Sequence, residues 1–183
     1  NIGNGDGGNT GNGNNETFDY DKYYNYNNLT CGIKCTDTLC KTTNDEVVVK
    51  GKMEHYTINL GGGYNSLKIG QGVDWSNIYS GIKNDKVTIT DDLKRTTVNL
   101  GAGDNSLEIG NNVKFSTIHT YSGDDNVFIG NDVDNTTINL GGGTNSLIVG
   151  KNVDWSNLFG GLGDDTFEVK GSIDHTTVNL GSG

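Results

Sequence analysis

Thr97-Val98-Asn99-Leu100-Gly101-Ala102-Gly103-Asp104-Asn105-Ser106-Leu107-Glu108-Ile109-Gly110 is the stretch that decides the fold. Two alternating segments, Thr97–Leu100 and Ser106–Ile109, flank a glycine-rich turn, and the phrase returns every 20 residues in both directions. Upstream it reads Thr57-Ile58-Asn59-Leu60-Gly61 and Asn77-Ile78-Tyr79-Ser80-Gly81. Downstream it reads Thr117-Ile118-His119, Thr137-Ile138-Asn139-Leu140-Gly141, Asn157-Leu158-Phe159 and Thr177-Val178-Asn179-Leu180-Gly181. No insertion or deletion interrupts the period from Asp45 to Gly183. A fixed period in this range marks a solenoid, in which each repeat buries its apolar face only against its neighbours.

Alternation with period two sends Val98, Leu100, Leu107 and Ile109 to one side and Thr97, Asn99, Ser106 and Glu108 to the other. The glycines between them supply the positive φ angles that a turn every ten residues demands. The expected fold is all-β, a parallel β-solenoid of the β-roll or β-helix kind with about 20 residues per coil. Two short strands and two turns are expected per coil, and about seven coils stacked at ~4.8 Å make a rod of roughly 33 Å.

A second period, twice as long, overlies the first. Trp75, Phe115 and Trp155 share one position, which Arg95, Asn135 and His175 hold in the alternate coils. Leu60, Leu100, Leu140 and Leu180 alternate with Ser80, Thr120 and Gly160. Either each short period closes one coil and coils come in two kinds, so that large inward residues pack over small ones, or one coil takes the double period and like stacks on like. The inward residues of the longer loop look too few to fill its interior at normal density, which favours the short period.

Composition narrows the class. The 183 residues include 29 glycines and no proline, and only 32% are hydrophobic, enough for a thin solenoid but low for a thick core. The formal charge of −10 argues against nucleic acid as partner. No apolar run approaches the length of a membrane span, and no signal peptide is visible. Residues 1–18 are Gly/Asn-rich and read as a flexible leader. Residues 19–44 hold Tyr20, Tyr23, Tyr24 and Tyr26 beside Cys31, Cys35 and Cys40, and read as a cap on the solenoid formed by residues 45–183. Three cysteines with no histidine among them fit one local disulfide better than zinc, and so an oxidising compartment.

One turn per coil is rich in glycine, Asp and Asn. Gly160-Gly161-Leu162-Gly163-Asp164-Asp165-Thr166-Phe167 fits the nonapeptide pattern G-G-x-G-x-D-x-U in full, with partial copies at Gly61–Leu67, Gly101–Asn105, Ser122–Asp125 and Gly141–Asn145. This resembles the repeats-in-toxin (RTX) family of secreted bacterial proteins, whose repeats form a parallel β-roll with calcium between successive turns. The second turn of each coil, such as Gly150–Trp155, does not match, and coils in that family are more often shorter. The resemblance implies secretion and Ca2+ in the turns at 61–65, 81–85, 101–105, 121–125, 141–145 and 160–165. The column Asp45, Asn65, Asp85, Asn105, Asp125, Asn145 and Asp165 would supply side-chain ligands, with Gly161 and Gly163 in the one complete motif. The same column also reads as an Asn/Asp ladder bonding to its own turns without metal.

Three further columns call for a reading. Glu54, Asp74, Asp134, Asp154 and Asp174, interrupted by Lys94 and Lys114, read as a solvated rim. Thr97, Thr117, Thr137 and Thr177, beside Ser76, Thr96, Ser116, Thr136, Ser156 and Thr176, are expected as outward hydroxyl columns of the kind ice-binding solenoids carry, roughened by Tyr79, His119 and Phe159. His55, His119 and His175 have no nucleophile at suggestive spacing and read as exposed solenoid residues, so no enzyme is expected. The main functional expectation is an extracellular structural or adhesive module of a secreted or surface-displayed bacterial protein, touching a cell-surface or extracellular polymer. The alternatives are a filament or surface-layer subunit associating with itself end to end or laterally, and an ice-binding solenoid.

Overall fold

A computed structural model describes Thr17–Asp19 and residues 44–183. The proposed disulfide at Cys31, Cys35 and Cys40, and most of the proposed leader and cap, lie outside the described residues. Every strand pairing is parallel and, from Glu46 onward, joins residues one short period apart: Thr97 faces Thr117, Val98 faces Ile118 and Ser106 faces Asn126. The coil therefore takes a single short period, and the double period is an alternation between two kinds of coil.

Each coil contributes to three sheets rather than two. Four-residue strands such as Ser106–Ile109 form one sheet, three-residue strands such as Thr97–Asn99 a second, and two-residue strands such as Val113–Lys114 a third. The third sheet escapes sequence reading because two residues cannot display a period of two. Thr17–Asp19 adds an eighth strand to the first sheet, pairing in parallel with Glu46–Val49.

Alternation behaves as the pattern predicts. Val98, Leu100, Leu107, Ile109 and Val113 are fully buried, while Glu108 is exposed. Inward residues of successive coils sit directly above one another, so the core is a narrow continuous column from Met53 to Leu158. Parallel pairing leaves strand amides bonded to an adjoining coil, for example Ser106 N–H to the Asp85 carbonyl of the coil before at 2.8 Å.

Glycine is demanded where the turn crosses its neighbour. Gly141 has φ 91°, and a Cβ there would overlap the Tyr121 carbonyl of the coil before. The turns allow adjacent coils to approach closely only because this position has no side chain.

Three substitutions test this architecture by urea unfolding. Leu107→Ala, which opens a cavity in the column, is expected to cost about 2–5 kcal/mol. Gly141→Ala is expected to cost more than the ~1–2 kcal/mol of a left-handed non-glycine residue, because the carbonyl clash adds to it. Ser106→Ala, on the outward face, is expected to stay within about 0.5 kcal/mol of wild type.

Candidate functional site

The Asp/Asn column is a buried ladder. Each backbone N–H is accepted by Oδ1 of the residue 20 positions on: Asn65 to Asp85 at 2.8 Å, Asp85 to Asn105 at 3.0 Å, Asn105 to Asp125 at 2.8 Å, Asp125 to Asn145 at 2.9 Å and Asn145 to Asp165 at 3.0 Å. Asp45 N–H begins the series on Asn65 Oδ1. The members differ in their second side-chain atom. Asn65, Asn105 and Asn145 donate Nδ2 to the carbonyls of Gly63, Gly103 and Gly143 in their own turns. An aspartate has no such donor, and Oδ2 of Asp85, Asp125 and Asp165 is buried without a hydrogen-bond partner.

The alternation between two kinds of coil accommodates that oxygen. Five residues before each Asn stands a leucine (Leu60, Leu100, Leu140), and five before Asp85, Asp125 and Asp165 stand Ser80, Thr120 and Gly160. A Cβ at Gly160 would collide with Asp165 Oδ2, so the carboxylate fills space that a side chain occupies in other coils. Ser80 and Thr120 lie beside Asp85 and Asp125, but each gives its single hydroxyl proton to a carbonyl, Leu100 at 2.6 Å and Leu140 at 2.7 Å. Burial accordingly raises the pKa of Asp85 and pushes that of Asp125 up to about 6, against the lowering effect of the Asn65 and Asn105 amides.

An orphaned, desolvated carboxylate oxygen next to hydroxyl oxygens and turn carbonyls is chemistry that fits a hard cation. The residues suited to hold calcium are therefore Asp85, Asp125 and Asp165, with Ser80 and Thr120 beside the first two. The Asn members have both side-chain atoms engaged in the ladder. Gly161 and Gly163 shape the turn with φ of 114° and 112°.

The other columns separate on burial. Ser76, Thr96, Ser116, Thr136 and Ser156 are buried, contrary to the outward placement expected of them. Each accepts the preceding coil's N–H, as Thr96 does from Ser76 at 3.3 Å, and donates to the carbonyl two residues back, as Thr96 does to Lys94 at 2.7 Å. A residue in this column that bonds to its own backbone turns inward at a corner, which alternation counted from the strands does not anticipate. Thr57, Asn77, Thr97, Thr117, Thr137, Asn157 and Thr177 do face outward in one unbroken column.

The acidic rim is not uniformly solvated. Asp74 is buried and bonded to the Arg95 guanidinium, with Lys52 at 3.9 Å. Asp134 lies 3.7 Å from Lys114. Asp154, Asp174 and His175 converge, with ligand atoms all within 4.8 Å of one another and His175 Nδ1 3.1 Å from Asp174. The one-coil offset between Asp154 and Asp174, extended to the adjacent His175, was the signal available for this cluster.

Neither a protein-family model nor a curated protein matches the sequence. A solved structure of similar fold is a hyperactive, Ca2+-dependent, β-helical antifreeze protein from an Antarctic bacterium, with a TM-score of 0.50 and 21% identity. The match covers 75% of this chain and 55% of that one, so this chain spans about half of its length. The likeness is one of fold.

The orphaned carboxylates generate a paired prediction. Without metal, the folded chain holds the Asp125 proton more tightly than the unfolded chain, whose carboxyl titrates near 4. The stability this gives is complete below about pH 4 and is lost as pH rises through the folded value of about 6. In chelator, the wild-type melting temperature is expected to fall between about pH 4.5 and 7. Asp125→Asn, whose amide would reach the Gly123 carbonyl as Asn105 reaches Gly103, is expected to flatten that fall and melt higher at neutral pH. In millimolar calcium the order reverses if the column holds the ion. At about 100 times Kd each site adds about 2.7 kcal/mol to the wild type, and Asp125→Asn forgoes its share.

Proposed function

We propose that this chain is a non-catalytic, extracellular solenoid whose ligand is ice. The carrying observation is the outward column Thr57, Asn77, Thr97, Thr117, Thr137, Asn157 and Thr177, every member a hydroxyl or amide held in exact backbone register. Beside it Asn59, Asn99, Asn139 and Asn179 complete Thr-x-Asn ranks on alternate coils. Polar groups repeated at ~4.8 Å on a rigid parallel sheet present a one-dimensional lattice. Water bonded to such groups is ordered before it meets ice, so the entropy of matching a crystal face has already been lost. The β-branched threonines are restricted at χ1, which keeps the array stiff. The fold-level likeness to a Ca2+-dependent antifreeze protein supports the same reading, and calcium at Asp85, Asp125 and Asp165 would stiffen the coils outside the cell.

Tyr79, His119 and Phe159 favour a second reading, a structural or adhesive module, because aromatic side chains on alternate coils interrupt the Asn ranks that an ice plane needs. That reading keeps the solenoid as a rigid spacer displaying contacts to a surface polymer.

Thermal hysteresis with ice-crystal shaping separates the two. The wild type in calcium is expected to depress the freezing point and facet growing ice. Thr97→Tyr with Thr137→Tyr, which roughens the unbroken column on its solvent side, is expected to abolish this with an unchanged melting temperature. A correctly folded, calcium-loaded wild type with no hysteresis sinks the ice reading and leaves the adhesive one.

A further inference from the structure

The corner between the two- and three-residue strands carries a feature that neither calcium nor ice explains. Its seven residues, His55, Trp75, Arg95, Phe115, Asn135, Trp155 and His175, all adopt left-handed backbone with φ between 45° and 62°. Asparagine and glycine suit that conformation, whereas tryptophan and phenylalanine are strained by it. Yet Trp75, Phe115 and Trp155 stand 56%, 56% and 57% exposed, so core burial gives nothing back. Large apolar rings kept in strained backbone and in water are a combination that points to a ligand.

The rings are not equivalent. Trp75 has a neighbour in each adjoining coil, the near-parallel His55 ring at 6.4 Å and the Arg95 guanidinium at 5.1 Å. Trp155 stacks on His175 with centroids 4.1 Å apart and planes 4° apart. His175 belongs to the next coil, so the Trp155 face away from it is the one available to a ligand on the side of Phe115. Phe115 and Trp155 are two coils apart, about 9.6 Å, and the coil between them contributes the short Asn135, whose Nδ2 donates to Asp134 Oδ1 at 2.7 Å.

We infer that Phe115 and Trp155 form a clamp for one pyranose ring of a neutral glycan. Two van der Waals contacts of ~4 Å fill about 8 Å of the gap. The remainder suits a puckered saturated ring, whereas a flat aromatic stacked on both sides needs less than the gap provides. The C–H faces of a sugar meet the electron-rich ring faces, and its equatorial hydroxyls reach the polar groups that border the clamp: Lys114, Asp134 and Asp154 on the neighbouring column and the Asn135 amide. The net charge of −10 and the acidic column disfavour phosphorylated or acidic polymers. A chain in the clamp would cross the solenoid axis, leaving the Thr column of the adjoining sheet free.

The test is tryptophan fluorescence and affinity electrophoresis of the full chain against cello-, chito-, β-1,3-gluco- and manno-oligosaccharides and the corresponding polymers. Variants are Trp155→Asn, Phe115→Asn and Trp75→Asn, since Asn135 shows that asparagine fits this backbone. At least one neutral glycan is expected to shift the fluorescence. Trp155→Asn and Phe115→Asn are expected to weaken its binding about tenfold or more, as loss of a stacked face should. Trp75→Asn is expected to bind as wild type, and all three to melt no lower than wild type. Absence of binding to every glycan by the folded wild type, or an equal loss on Trp75→Asn, overturns the proposal. Its failure leaves the hysteresis measurement untouched.

Discussion

The structure depends on side chains that accept the backbone N–H of a neighbouring coil. Most amides find carbonyls in an adjoining coil, but at certain turn and corner positions, such as Asn105 and Thr96, the N–H meets a side chain instead, and a buried unpaired N–H costs about as much as a lost bond. Here the deficit is met by columns of short side chains. The inner Asp/Asn ladder and the Ser/Thr corner column accept from the preceding coil, as Asp125 Oδ1 does from Asn105 and Ser116 Oγ does from Thr96. Two outer columns accept from the following coil, as Asp104 Oδ1 does from Asp124 and Asp92 Oδ1 does from Asn112. Each coil is therefore tied in both axial directions by residues at a fixed offset. One inserted residue would put all of these columns out of register at once, which explains the absence of insertions from Asp45 to Gly183.

The same ladder accounts for the two kinds of coil. An asparagine satisfies the turn carbonyl with its amide, and its coil keeps a leucine inside. An aspartate cannot, and its second oxygen turns into space that its coil opens by placing Ser80, Thr120 or Gly160 where the others place leucine. The interior thus exchanges an apolar side chain for a carboxylate every second coil. Aromatic corners follow the same beat: Trp75, Phe115 and Trp155 belong to the coils that end in Asp85, Asp125 and Asp165.

Much of this was legible in the chain. The period, the parallel solenoid and the inward set around Val98, Leu107 and Ile109 follow from alternation and exact spacing. The Asp/Asn column was legible as a column, but not which of its members retain a free oxygen, because that turns on where Nδ2 finds a carbonyl. The Ser76–Ser156 column was misplaced to the outside, since two-residue strands and left-handed corners reset the alternation between sheets. The cluster of Asp154, Asp174 and His175, and the different neighbours of Trp75 and Trp155, depend on what the adjoining coils contribute at the same corner. A single repeat read by itself does not contain that information.

The alternation also gives the rod a parity. Removing one coil would bring two leucine coils together, or two carboxylate coils, and place like charge on like charge at one coil spacing in a dry interior. Removing two restores every neighbour. A solenoid of this design grows and shrinks by pairs of coils, so its natural unit of duplication is the pair even though its unit of structure is the single coil.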